Sequence, residues 1–270
     1  MRHRTLPLPS ESLEARAGWF AGWLSVTLAV IALLPTLPLR VVGAVAGAAA
    51  SVALARPYLR RASAFSAALV TVGAAVVSTG TVIGLSGLPW RTGVSWSQAG
   101  GVGRPTAWLF AATSLCLGTG VLATGRLVIR EGYRRGDLTE RAYRFASLLP
   151  ALSFAGFAVV ALAPVGGAPI LAAAHNIASW AALGSFWFGM IASARLRTLS
   201  RALRVFSAIA TLLVFGTWLP NGLRFMRLIT ARPISMLAME LVVFPLCFIW
   251  FCWLAGEWSA PQPRSPHAAD

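Results

Sequence analysis

The chain has 270 residues, 57% hydrophobic and only 11% charged, with a formal net charge of +15. Soluble domains carry about a quarter charged residues, so this chain cannot cover a water-facing surface of its size, and its apolar surplus must face lipid. Nucleic acid is excluded as a partner, because the arginines punctuate long apolar runs and form no continuous basic face.

Residues 1–17 form a polar N-terminal segment with Arg2, Arg4 and Arg16, followed by an apolar run from Gly18. A signal peptide has this outline. Pro35, Pro38 and a second apolar run directly behind favour an uncleaved first span. A spanning helix needs about 20 mostly apolar residues. Eight stretches qualify: 18–38, 41–56, 62–88, 106–129, 143–164, 168–194, 203–222 and 233–255. The second is short and rich in Ala and Gly. Period-two alternation is absent, which argues against a barrel, and irregular backbone could not satisfy its hydrogen bonds in hydrocarbon. The expected fold is all-α: a polytopic helix bundle of about eight spans over 18–256, followed by a disordered tail at 257–270.

Arginine placement supports this count. With a cytoplasmic N-terminus, 17 arginines fall on the inner side and six on the outer: Arg40, Arg91, Arg104, Arg224, Arg227 and Arg232. The bias obeys the positive-inside rule and predicts a multi-pass protein of the cell membrane with both termini cytoplasmic. Trp90, Trp96, Trp108, Trp218 and Trp258 lie near span ends, as interfacial aromatics do. Gly43/Gly47 and Gly80/Gly84 read as small-residue pairs for close helix packing. The inner loop 130–141 mixes both charge signs and reads as a solvated connector touching lipid headgroups.

Ionisable groups inside a span are costly and need a reason. His175 lies about seven residues into the sixth span and Glu240 about seven into the eighth, both roughly 10 Å below the outer surface. Equal depth suggests a shared polar pocket. Asn176, Asn221 and Arg224 lie on the same side, as do Ser95, Ser97 and Gln98 in the loop before the fourth span. The plainer alternative is that Glu240 pairs with Arg224 or His175 to hold helices together. His175 lacks further ligands at helical spacing, so no metal or other cofactor is expected. The cysteines, Cys116, Cys247 and Cys252, sit in apolar runs and read as small buried hydrophobes. There is no P-loop, no GxGxxG, no HExxH, no CxxC and no GxSxG elbow. The eight acidic residues lie mostly in loops and tails, which gives little support to a carboxylate-based enzyme.

Three segments carry a family resemblance. They are Gly93-Val94-Ser95-Trp96-Ser97-Gln98-Ala99-Gly100, Ala174-His175-Asn176-Ile177-Ala178, and Met239-Glu240-Leu241-Val242-Val243-Phe244-Pro245 with Trp250 behind it. In order and placement they resemble a prokaryotic polytopic membrane family, domain of unknown function 998, itself distantly similar to the Frag/DRAM/Sfk membrane proteins. The resemblance covers roughly residues 62–256. It implies a six-span core with 18–61 as an added hairpin, and a membrane role that involves lipids. The chain departs from that family at Gln98, where an acidic residue is usual, and at Leu241, where Arg is usual.

The leading expectation is a lipid-handling or lipid-sensing protein whose outer-leaflet pocket is lined by Ser95, Ser97, Gln98, His175, Asn176, Asn221, Arg224 and Glu240. A non-catalytic scaffold subunit with a protein partner, or a homo-oligomer, is the alternative from another class. A proton-coupled transporter using Glu240 and His175 is a third, although inverted repeats are not evident.

Overall fold

The computed structural model describes residues 9–34, 63–87, 96–163, 165–166, 168–226, 228 and 236–259. These form nine helices: α1 (Pro9–Leu33), α2 (Ala64–Leu85), α3 (Trp96–Ala99), α4 (Ala107–Arg134), α5 (Glu140–Ala146), α6 (Leu148–Leu162), α7 (Pro169–Arg195), α8 (Arg201–Phe225) and α9 (Met236–Ser259). Among the described residues there is no strand, and seven helical stretches are long and apolar enough to cross a membrane. The chain is an all-α, polytopic membrane bundle. The predicted span 41–56, with Gly43 and Gly47, lies outside the described residues, as does the tail beyond Ser259.

Six helices close into a ring, each touching the next in the order α2, α4, α6, α7, α8, α9 and back to α2. Helix α9 also reaches across the ring to α4 and α7. Helix α1 packs outside, against α2 and α4, where Ser25 and Ser78 share a 2.6 Å hydrogen bond in an apolar setting.

Local chemistry explains the boundaries. Ser63 caps α2 by accepting from the Ser66 amide at 3.1 Å, and the Ser66 hydroxyl accepts from the Ser63 amide at 3.0 Å. Pro169 opens α7 in the position where its missing N–H costs nothing. The predicted fourth span, ending at 129, extends to Arg134, because Arg130 pairs with Glu14 and the last turn is held by neighbours. The predicted fifth span is broken at Ser147 into α5 and α6.

The segment 130–141 is mostly exposed or half-buried and carries its own set of polar bonds. Tyr133 donates its hydroxyl to Glu140 at 2.7 Å, and Arg144 donates to the same carboxylate at 2.8 Å. The Tyr133 and Tyr143 rings stack at 4.5 Å. Arg135 donates to the Glu257 and Trp258 carbonyls at 2.8 and 3.2 Å, satisfying the last turn of α9.

Two tryptophans expected at the interface turn inward instead. Trp96 is 4% exposed and Trp258 3% exposed, the latter with its indole against Gly132. Trp108 stays exposed, as interfacial residues do.

Gly80 and Gly84 do not form a packing seam among the described residues: a methyl at either would meet nothing within 4 Å. The close contact is elsewhere. A methyl on Gly156 of α6 would lie 2.6 Å from the Ala178 carbonyl of α7. Gly156→Val should destabilise the protein by about 1–3 kcal/mol, whereas Gly80→Ala should not lower stability. Thermal unfolding in detergent checks both, and equal losses would contradict the packing described.

Candidate functional site

Glu240 and His175 line one cavity in the ring, at the end that carries α3. The cavity holds about 620 Å³ of space, its open mouth included. Helix α3 forms its roof. Three bonds seat this short helix: the Trp96 amide donates to Glu240 Oε2 at 2.8 Å, Thr106 Oγ1 donates to the Ala99 carbonyl at 2.6 Å, and the Val102 amide donates to the Val165 carbonyl at 2.9 Å. Gly100 allows the roof to lie flat on the Phe110 ring, since a methyl there would sit 2.0 Å from Cγ.

His175 is 2% exposed, and its Nδ1 lies 2.7 Å from the Ala163 carbonyl. A carbonyl only accepts, so Nδ1 carries the proton. This bond ties the start of α7 to the end of α6 and fixes the ring plane. The Phe110 ring lies 6.3 Å from the imidazole, nearly parallel to it.

The pairing of Glu240 with Arg224 or His175, weighed from sequence, is not found among the described residues: the carboxylate takes a backbone amide. Arg224 and Asn221 do not line the cavity. Asn221 instead donates to the Thr217 carbonyl of its own helix at 3.2 Å. Trp218 faces the cavity. Each residue turns a helix by about 100°, so Arg224, six positions on, points elsewhere. Gln98 is exposed on the far side of α3, whereas Ser97 and Asn176 do line the cavity. Ser95 lies outside the described residues.

Sequence reasoning overlooked the aromatic wall. Phe110, Phe157, Trp180, Trp218 and Phe244 line the cavity beside Trp96. Trp96 meets Phe110 edge-to-face at 4.9 Å and Phe244 at 6.2 Å. These rings come from α3, α4, α6, α7, α8 and α9, so no local spacing announced them. The available signal was their common depth beside His175 and Glu240. The Trp96 and Trp218 indole N–H groups are buried and have no partner among the described residues.

A second cavity, about 630 Å³ with its mouth, lies toward the other end of the ring, between α4, α6, α7 and α9. It is lined almost wholly by apolar groups, among them Val121, Phe186, Trp250 and Leu254. The two cavities abut along α7, where Ala182 and Leu183 wall the first and Ser185 and Phe186 the second. No group of three His, Cys, Asp or Glu residues suited to a metal ion occurs among the described residues.

No protein-family model matches the chain, and no curated protein or solved structure matches it either.

Glu240→Ala removes the acceptor for the Trp96 amide and should cost about 1–3 kcal/mol, the range for leaving a buried donor unsatisfied. Glu240→Gln keeps an accepting oxygen and should cost clearly less. Detergent melting curves for the two variants would show it, and equal losses would mean that the roof does not depend on this bond.

Proposed function

We propose that this membrane protein binds a membrane amphiphile, with the polar end in the aromatic-walled cavity beneath α3 and apolar atoms toward the second cavity. The observation that carries this reading is the end-to-end arrangement of a partly polar and an apolar compartment inside one ring of membrane helices. Ligand sites are commonly cavities of about 300–1,000 Å³ with a few placed polar groups. Asn176 and Trp180 line the first cavity and are exposed about seven and eleven residues into α7. The mouth therefore lies at membrane depth, roughly 10–17 Å along the helix. A molecule that resides in the bilayer reaches such a mouth without crossing water. The resemblance to a family distantly similar to lipid-linked membrane proteins points the same way.

The expected experiment is lipid identification by mass spectrometry on protein purified in mild detergent. Wild type should retain a defined lipid at near-stoichiometric level. Ser179→Phe, which fills the cavity from a half-buried wall position, should lose it while the bundle still melts cooperatively. Unchanged retention in a folded Ser179→Phe variant would rule the cavity out as the lipid site.

The arginine bias supports an orientation with the α3 end toward the outer leaflet and the Tyr133 end toward the cytoplasm. In intact cells, a cysteine at the exposed position Val102 should react with a membrane-impermeant thiol reagent, and one at exposed Arg141 should react only after lysis. The reverse pattern would invert the protein and move the cavity to the inner leaflet.

A further inference from the structure

We infer that the cavity beneath α3 recognises an organic ammonium group, a conclusion that rests on the reading of this cavity as a ligand site and specifies its chemistry. Charge comes first. The chain carries 23 arginines, yet among the described residues none lines this cavity. Among the described residues Glu240 is the one acidic or arginine side chain in the wall, and its bonding partner is the neutral amide of Trp96. One carboxyl oxygen accepts from that amide, and no cationic side chain pairs with Glu240 among the described residues. An ionisable group held at membrane depth is a functional-site candidate, and a cation bound beside this carboxyl would favour its ionised form.

The wall selects the kind of cation. Trp96, Phe110, Trp180, Trp218 and Phe244 line the same cavity as the Glu240 carboxyl group. Aromatic rings attract cations through their quadrupole, and cages of such rings are a known solution for alkylated ammonium groups. A hard metal ion needs six or more oxygen ligands, which this wall does not offer. His175, with Nδ1 committed to the Ala163 carbonyl, presents Nε2 as an acceptor when neutral. Ser97, Asn176 and Ser179 add hydroxyl and amide groups for the neighbouring atoms of the ligand. The volume, about 620 Å³, accommodates a headgroup-sized cation with part of what it is attached to. Either a zwitterionic lipid headgroup or a free alkylammonium compound carries this chemistry.

The test uses the full chain purified in detergent and titrated calorimetrically with choline and with its uncharged carbon isostere, dimethylbutanol. Choline should bind at least about ten-fold tighter than the isostere, the scale of one good cation–π and charge contact. Glu240→Gln, which retains an acceptor for the Trp96 amide, should erase that preference. Trp180→Ala, at the exposed rim, should weaken choline by several-fold and supplies a second variant if Glu240→Gln fails to fold. Equal binding of choline and the isostere, or an undiminished preference in folded Glu240→Gln, would overturn the inference.

A parallel arm reconstitutes the protein in mixed phosphatidylcholine, phosphatidylethanolamine and phosphatidylglycerol and identifies the retained lipid. Enrichment of the two ammonium lipids makes the headgroup the source. A choline preference with no retained lipid upholds the ammonium site, makes a free amine the source, and refutes the amphiphile reading. Retained lipid without headgroup preference, together with equal binding of choline and isostere, refutes the ammonium site and leaves the amphiphile reading standing.

Discussion

The bundle depends on satisfying backbone amides at helix starts with carboxylates delivered by a single helix. Helix α9 carries Glu240 near one end and Glu257 near the other, roughly 25 Å apart along its axis. Glu240 accepts from the Trp96 amide at 2.8 Å and so seats α3. Glu257 accepts from the Ser200 amide at 2.9 Å and from the Ser200 hydroxyl, the residue that caps α8. Orphan N–H groups at a helix start are expensive to leave unpaired in a dry setting, and negative charge is favoured there. Arg135 completes the arrangement by donating to the last carbonyls of α9. The helix that crosses the ring is thus pinned at both ends by bonds to other elements.

That pinning shapes the interior. Helix α9 touches α4 and α7 while also closing the ring between α8 and α2, and it contributes to the walls of both cavities. At the α3 end the cavity is bounded by a carboxylate, an imidazole and aromatic rings. At the other end it is bounded by aliphatic side chains and two indoles. The close approach of α6 and α7 at Gly156, where Ala178 and Ala182 present only small groups, holds the wall between them tight. Without a hydrophobic drive between helices in lipid, such small-residue contacts and scattered polar bonds are what keep helices together. Two bonds of the second kind are the 2.6 Å Ser25–Ser78 contact and the 3.1 Å bond from the Trp187 indole to the Thr211 carbonyl.

The cavity also separates two roles that sequence spacing had merged. His175 and Glu240 share depth and share the cavity, but each is anchored by backbone rather than by the other. Anchoring to backbone fixes the side chains without using an arginine from the described residues. Arg224, near the same end, does not line the cavity, so among the described residues the wall holds one carboxyl group and no arginine.

Hydropathy alone determined that this chain is a bundle of membrane helices, because a stretch of about 20 apolar residues has only one low-energy arrangement of its backbone in lipid. That His175 and Glu240 could meet was legible because distance along a helix translates directly into depth, and both line one cavity. Facing direction was not. Whether Trp96 sits at the interface or in the cavity, whether Arg224 joins Glu240, and whether Gly80 or Gly156 makes the close contact depend on which helices become neighbours. Long-range packing decides that, and in a chain apolar on nearly every side no single face of a helix announces its partner.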